Sequence, residues 1–146
     1  MIKVKRIDHV AIAVGDRDLA VQDLGALFEL RAGPTEHVAN QGSDVAFLSA
    51  PTDADGPALE IIASAGPTGN PGLVRFLDRR GPGLHHICFE VDDLPGALAS
   101  LKAAGVKLID EAPRPGARGH LVAFIHPAST GGVLFELCAT PNGAQA

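Results

Sequence analysis

The chain has 146 residues, a length that suits one compact domain or two small fused halves. Apolar residues make up 46% and charged residues 20%, a composition that excludes a disordered chain. The net charge is −5 at pH 7, and the sequence shows neither the basic patch typical of nucleic-acid binding nor an apolar run long enough for a transmembrane helix.

The two cysteines, Cys88 and Cys138, have a spacing that fits neither a zinc finger nor a disulfide framework. The N-terminal stretch MIKVKRIDHVAIAV is too short and too strand-like for a signal peptide. We therefore expect a cytoplasmic protein whose cysteines are free thiols packed in an apolar interior, with no catalytic role.

The first half predicts a strand, a helix and further strands. The opening strand covers residues 7–14, Asp16 and Asp18 are typical of a helix start, and an amphipathic helix is predicted over 19–28. Strand patterns follow at VAFL and ALEII. The Gly/Pro-rich linker AGPTGNPG and a short helix over 73–79 lead into the second half.

The second half repeats this order. A strand over 85–91 is followed by Asp92 and Asp93 as helix-start residues and by a helix over 95–104, in which Pro95 occupies the first turn. Three strands are predicted at VKLID, HLVAFIH and GVLFELC, and PNGAQA is predicted to be a frayed tail. Each half therefore reads as βαβββ.

The two halves are also similar to each other in register. HICFEVDDLPGALASL begins 77 residues after HVAIAVGDRDLAVQDL, VAFI follows VAFL by the same interval, and Gly119 follows Gly42 by it. We predict a single domain over residues 1–146, made of two βαβββ modules at about 5–63 and 83–140.

Four residues of ligand type recur in this register. His86 follows His9 by 77 residues, and Glu136 follows Glu60 by 76. A lone strand histidine or glutamate is more often structural, so the argument for a site depends on the four together. If the halves pack with pseudo-twofold symmetry, two imidazoles and two carboxylates converge into a site that suits Co²⁺, Mn²⁺, Ni²⁺, Fe²⁺ or Mg²⁺, with Zn²⁺ also possible. His85 is expected to point to the opposite face.

The motifs RIDHVAIAV, GLHHICFEVDDL, KAAGVKLIDEAPRPGARGH and HPASTGGVLFEL resemble the vicinal-oxygen-chelate (glyoxalase-like) superfamily and, within it, the methylmalonyl-CoA epimerase family. The resemblance is close over residues 74–138, good over 6–16 and weaker between them. It implies an α+β fold in which tandem βαβββ modules form an open barrel-like sheet. It also implies that the metal ligands are His9, Glu60, His86 and Glu136.

The resemblance further implies an epimerase that interconverts (R)- and (S)-methylmalonyl-CoA, or a close 2-alkylmalonyl-CoA, through a metal-stabilised enolate. Glu136 would serve as the catalytic proton carrier on one face, in addition to binding the metal. The implied cofactor is a divalent ion, Co²⁺, Mn²⁺, Ni²⁺, Mg²⁺ or Zn²⁺. The implied partner is an acyl-CoA thioester, and the assembly a homodimer. The candidates for contacting the phosphates of coenzyme A are Arg79, Arg80, Arg114 and Arg118, although solvated surface charge is the more common explanation for each of them.

The sequence departs from the family at the second proton carrier. The positions where many members have a glutamate are Asn40 and Val45 here, and neither residue can carry a proton. Asp44 is adjacent to Val45 and is expected to face the other way, and Glu36 lies upstream, out of register. If Glu136 serves one face, the candidates for the other face are Asp44, Glu36 and an ordered water. Two alternatives therefore stay open: a glyoxalase-type isomerase on the same scaffold, and a ligand-binding protein without catalysis.

Overall fold

The computed structural model describes residues 1–141. Within that range the chain forms nine strands and three helices, whose bounds in chain order are β1 Val4–Ala13, α1 Arg17–Phe28, β2 Arg31–Ala32, β3 Glu36–Val38, β4 Ser43–Ser49, β5 Ala58–Ser64, α2 Pro71–Arg80, β6 Gly83–Val91, α3 Leu94–Ala103, β7 Arg114–Pro115, β8 Leu121–Ile125 and β9 Phe135–Ala139. Of the predicted tail, residues 142–146 lie outside the described range. No helix in that range is both long and apolar enough to cross a membrane.

An aspartate after each of the strands β1 and β6 caps the start of the next helix. The Asp16 carboxylate accepts a hydrogen bond from the Leu19 backbone N–H at 3.0 Å, and Asp93 accepts one from Gly96, also at 3.0 Å. Each carboxylate thereby satisfies one of the N–H groups that a helix start leaves without an internal partner. The predicted helix starts are confirmed at Asp16 and Asp93, which occupy matching places in the repeat.

The chain divides into two compact units. The first unit is His9–His85, and the second unit consists of Met1–Asp8 together with the chain from His86 onward. The boundaries fall inside β1 and β6, so that each of these strands contributes residues to both units.

In the first unit the strand order is β2-β4-β5-β1, and β3 also pairs with β4. The β1–β5 pair is parallel, whereas β4 is antiparallel to β2, β3 and β5. The largest fully buried side chains here are Leu48, Ile61, Leu73 and Val45. The third element of the predicted βαβββ pattern is split into two short strands, β2 and β3.

In the second unit the spatial order of strands in the sheet is the start of β1, then β6, β9, β8 and β7. The β6–β9 pair is parallel, and β8 is antiparallel to both β9 and β7. Helix α3 packs its buried side chains, among them Leu94 and Leu98, against the apolar face of this sheet at Ala123, Ile125 and Leu137. The predicted α+β class and the order strand, helix, three strands are confirmed.

The prediction of a strand at VKLID is wrong. Only one isolated bridge forms there, between Leu108 and Ile125. The backbone N–H groups of Ile109 and Asp110 both donate to the single carbonyl of Phe124, at 2.9 and 3.2 Å, so the alternation needed for a ladder is lost. The Asp110 carboxylate accepts the Phe124 N–H at 2.9 Å instead. The edge strand β7 forms farther along, at Arg114–Pro115.

Gly42 and Gly119, which match in the repeat, precede β4 and β8 and both have positive φ values, 62° and 70°. At Gly42 a Cβ atom would lie 1.8 Å from the carbonyl oxygen of Gly69, so no larger residue fits there. These two turns set where β4 and β8 begin.

Candidate metal centre

The first unit holds one buried His–Glu pair. The Nε2 atom of His9 lies 3.1 Å from Oε2 of Glu60, and the two side chains are 4% and 7% exposed. In the parallel β1–β5 pair, Ala11 lies opposite Glu60 and His9 opposite Ala58. Because side chains alternate along a strand, both members of the pair lie on one face of the sheet.

The second unit holds a matching pair. His86 Nε2 lies 2.8 Å from Glu136 Oε2, and these side chains are 1% and 6% exposed. The strands are again parallel neighbours, with Cys88 opposite Glu136 as Ala11 is opposite Glu60. The duplication detected in the sequence therefore extends to the atoms of the candidate ligands.

A phenylalanine supports each histidine. Phe47 meets the His9 ring edge to face, with centroids 5.3 Å apart and an interplanar angle of 82°. Phe124 meets His86 in the same way, at 5.2 Å and 85°. Phe47 is the direct strand partner of Glu60, and Phe124 of Glu136. Sequence reasoning did not assign these residues to the site, although the VAFL/VAFI match marks both of them.

The spacing within each pair fits two ligands of one ion. Octahedral metal–ligand bonds of about 2.1 Å place neighbouring ligand atoms about 3.0 Å apart. The observed separations of 3.1 and 2.8 Å agree with that value. Two imidazole nitrogens and two carboxylate oxygens form a donor set suited to hard or borderline divalent ions. That the two pairs bind one ion together stays a prediction.

His85, the neighbour of His86, contacts a different element. Its ring meets Phe76 of α2 edge to face, with centroids 4.9 Å apart. This contact within the first unit agrees with the expectation that His85 points away from the ligand face.

The position of Glu36 corrects the sequence-based expectation. Glu36 in β3 is the direct antiparallel partner of Val45, so the two side chains lie on the same face. Val45 is in turn two residues from Phe47, the partner of Glu60. Glu36 is half-buried. The assumption that it was out of register was wrong, because the turn between β3 and β4 folds the chain back onto Val45.

The other two positions in this region have no comparable placement. Asp44 pairs with His37 at 2.8 Å, and the two side chains are 36% and 55% exposed, so Asp44 faces away from Val45 as expected. Asn40 is an exposed residue of the turn between β3 and β4, where Gln41 N–H donates to Val38 O and Gly42 N–H to Ala39 O.

Two of the candidate arginines are engaged within the second unit. The Arg114 guanidinium lies 3.0 Å from Asp110 Oδ1 and packs over the Phe124 ring at 5.5 Å. Arg118 forms an ion pair with Asp8. In α2, Arg80 packs over the Phe76 ring at 5.6 Å. A role in binding phosphate stays a prediction for all four arginines.

Both cysteines are interior, as expected: Cys88 is 0% and Cys138 1% exposed. Their surroundings are less apolar than expected. The pKa of the Cys88 thiol is raised, mainly by burial. The pKa of Cys138 is lowered to about 6, mainly by its interaction with Cys88 and further by His120. Polar side chains near the thiols escaped sequence analysis because they are distant in the chain.

Residues 8–124 match the family model of the Glyoxalase/Bleomycin resistance protein/Dioxygenase superfamily. The chain belongs to this superfamily. Among superfamily relatives, it is 38% identical to the uncharacterized protein YqjC of Bacillus subtilis, covering 97% of this chain and 96% of that one. It is 33% identical to the ethylmalonyl-CoA/methylmalonyl-CoA epimerase of Cereibacter sphaeroides, covering 92% and 97% of the two chains.

The superfamily fold is matched as well. The crystal structure of methylmalonyl-CoA epimerase from Mycobacterium tuberculosis superimposes with a TM-score of 0.88 at 33% identity, covering 98% of this chain and 93% of that one. The resemblance to methylmalonyl-CoA epimerases is therefore confirmed, together with the vicinal-oxygen-chelate fold.

Proposed function

We propose that the protein is a metal-dependent epimerase that interconverts the two configurations of methylmalonyl-CoA or of a close 2-alkylmalonyl-CoA. The observation that carries this proposal is the pair of matching buried His–Glu contacts, each supported by a phenylalanine. The epimerases among its relatives support the substrate class.

In this proposal His9, Glu60, His86 and Glu136 hold one divalent ion. When bound, the ion polarises the carbonyl and carboxylate oxygens of a malonyl thioester and stabilises the enolate formed by loss of the α-proton. The four protein ligands would hold the ion and leave it able to bind those oxygens as well. Co²⁺, Mn²⁺, Ni²⁺ and Mg²⁺ fit this donor set, and Zn²⁺ is compatible with it.

Inversion of a carbon centre requires one group that takes the proton and another that returns a proton to the opposite face. We assign these roles to Glu136 and Glu36. Glu36 pairs with Val45, and Phe47, two residues farther along β4, pairs with Glu60. Glu36 therefore lies on the same sheet face as Glu60 and His9. After each turnover the carboxylate that took the proton is protonated and the other is ionised, and proton exchange with solvent restores the first state before the next turnover in the same direction.

The acyl chain is the least defined part of the substrate. Val45 and Phe47 give the face beside Glu60 an apolar character, which suits an alkyl group on the α-carbon. The Cereibacter sphaeroides relative is named for both ethylmalonyl-CoA and methylmalonyl-CoA. A 2-alkylmalonyl-CoA with one or two carbons in the alkyl group is therefore the substrate we propose. The homodimer and the cytoplasmic location stay predictions.

The test is interconversion of enantiopure methylmalonyl-CoA, followed by polarimetry, before and after treatment with a chelator. We expect activity to disappear with the metal and to return on addition of Co²⁺ or Mn²⁺. Full activity in metal-free protein would contradict the metal-dependent mechanism. Turnover of glutathione hemithioacetal in its place would favour the glyoxalase-type alternative, and tight thioester binding without turnover would favour the non-catalytic one.

A further inference from the structure

The second unit contains another group of ligand-type side chains. One ligand atom each from Asp8, His120 and Cys138 lie within 4.8 Å of one another, and a ligand atom of Asp8 lies within the same distance of Cys88. The Cys88 thiol donates a hydrogen bond to the Phe89 carbonyl at 3.9 Å. Two thiols, an imidazole and a carboxylate thus gather in one place. Their parent residues lie on β1, β6, β9 and the turn before β8.

This group is held in position from outside. Arg6 Nη2 donates to Asp8 Oδ1 at 3.1 Å, and Arg118 binds the other carboxylate oxygen. Arg118 has a left-handed backbone, with φ of 58°, in the turn that also presents His120. A non-glycine residue in that conformation indicates that the surrounding contacts fix the turn.

One atom in the group lacks the partner that burial normally requires. His120 Nδ1 is buried and has no hydrogen-bond partner within the described residues. A buried polar atom left without a partner costs about 1–3 kcal/mol. Asp8, Cys88 and Cys138 are themselves only 1%, 0% and 1% exposed. A ligand that accepts electron pairs from nitrogen and sulfur would satisfy the His120 nitrogen and bind the two cysteine sulfurs at once.

A disulfide does not explain the two thiols. In the β6–β9 pair, Cys88 lies opposite Glu136 and Cys138 opposite Glu90, so the cysteines are diagonal neighbours. With strands about 4.8 Å apart and about 3.3 Å per residue, such Cα atoms lie roughly 8 Å apart. That exceeds the upper limit of about 7 Å for a disulfide. Two buried thiols that are too far apart for a disulfide, and that each lie within 4.8 Å of Asp8, suit a shared ligand better.

We propose that Asp8, Cys88, His120 and Cys138 form a second metal site, selective for a thiophilic divalent ion such as Zn²⁺. Zinc accepts sulfur, nitrogen and carboxylate oxygen in four-coordinate tetrahedral sites. Both cysteines bind as thiolates and release to solvent whatever protons they still carry, and Arg6 and Arg118 offset the negative charge of the resulting complex. The ion would join β1, β6, β9 and the turn before β8, and so stabilise the second unit. This proposal does not rest on the proposed function.

The His–Glu centre contains only nitrogen and oxygen ligands, which makes the two sites distinguishable by spectroscopy. Full-length protein is loaded with Co²⁺, and thiolate-to-cobalt charge transfer is measured in the near ultraviolet. We expect this band in the wild type and also in the Glu60→Ala/His86→Ala variant. The matched variant Cys88→Ser/Cys138→Ser should lose the band while it keeps cobalt at the His–Glu centre.

His120→Ala is the second test, because a half-buried turn residue can be replaced with less risk to folding than two core cysteines. We expect it to weaken Zn²⁺ binding in the Glu60→Ala/His86→Ala background by at least about tenfold. Zn²⁺ should also slow alkylation of the two thiols in the wild type. Absence of the sulfur–cobalt band in the wild type, or unchanged zinc affinity in His120→Ala, would overturn the proposal. If the wild type shows the sulfur–cobalt band but has no epimerase activity, only the proposed function is contradicted.

Discussion

The two units carry the same His–Glu–Phe arrangement but surround it differently. Opposite Val45 in the first unit lies Glu36, whereas opposite Val122, the repeat match of Val45, lies Arg114. The carboxylate of Glu36 in the first unit thus has the same strand position as the guanidinium of Arg114 in the second. The duplication retained the residues suited to metal binding and changed those next to them.

The same contrast appears two residues beyond each ligand. Ala11 follows His9 and Ile62 follows Glu60 in the first unit, whereas Cys88 and Cys138 occupy these places in the second. Each unit therefore adds its own side chains to a shared pattern. Substitutions at matching positions should therefore have different effects in the two units wherever the surrounding side chains differ.

The largest expected difference is between the two glutamate ligands. Glu136→Gln should lower kcat/KM by about 10⁴-fold, because it removes both a ligand charge and a proton carrier. Glu60→Gln should lower it by about 10²-fold, through weaker metal binding alone. The measurement is kcat/KM at one fixed metal concentration below saturation, with metal content determined in parallel, and again at saturating metal, where only the loss in Glu136→Gln should persist. Equal losses in the two variants would show that Glu136 has no additional role.

The next effect concerns Glu36. Glu36→Gln should lower epimerisation by about 10²-fold, because one face of the enolate loses its proton carrier. Metal content should not change. Adding Val45→Glu to this variant should restore part of the rate, since residue 45 faces the same side as residue 36.

Asp44→Asn is the matched control for Glu36. Asp44 lies on the opposite face and pairs with His37, so the rate should stay close to that of the wild type. A large loss in Asp44→Asn with normal activity in Glu36→Gln would reverse the assignment of the second proton carrier.

The aromatic supports should behave alike in the two units. Phe47→Leu and Phe124→Leu remove equivalent edge-to-face contacts with histidine, and each should lower the free energy of unfolding by about 1 kcal/mol. Thermal unfolding followed by far-ultraviolet circular dichroism is suitable, because the chain has no Trp or Tyr. Phe124→Leu should cost up to about 1 kcal/mol more, because it also removes the packing of Arg114 over that ring. A greater loss in Phe47→Leu than in Phe124→Leu would show that the two histidine contacts are not equivalent.

The smallest effect is confined to the second unit. Arg6, at 2.6 Å, holds the pKa of Glu90 below its ordinary value. A lowered folded-state pKa gives stability that is present above the unfolded pKa of about 4.3 and is lost as the pH falls through the folded value. Glu90→Gln should therefore cost about 1 kcal/mol or less at pH 7 and progressively less under acidic conditions.

The exposed pair Lys102–Glu111, at 2.9 Å, provides the control for Glu90. Glu111→Gln should change stability less than Glu90→Gln at pH 7, because both partners are solvated. An equal or greater stability loss in Glu90→Gln at low pH would contradict the sign of this linkage.

The repeat made most of the fold predictable from the sequence. Strand alternation and the 77-residue register identified both His–Glu pairs, and local helix-start chemistry identified Asp16 and Asp93. The same reasoning failed at VKLID, where Asp110 competes with the backbone for hydrogen bonds to β8. It named Glu36 as one candidate for the second proton carrier but did not predict its pairing with Val45, because the register of a three-residue strand depends on the geometry of the following turn.

The second group of ligand-type residues was beyond sequence analysis for another reason. Asp8 and Arg118, which form an ion pair, are 110 residues apart in the chain. Neither residue belongs to the repeat register, and the cysteines appeared only as apolar core positions. Contacts of this range follow from the packing of strands and not from any local pattern.

The central claim is that matching His–Glu pairs support proton removal from the α-carbon of a malonyl thioester. Proton NMR of enantiopure methylmalonyl-CoA with metal-loaded protein in D₂O tests it most directly. The account predicts that the α-proton signal disappears as the opposite enantiomer forms, and that neither change occurs with His9→Ala/His86→Ala protein. A persistent α-proton signal with the metal-loaded wild type, or undiminished exchange in the double variant, would contradict it.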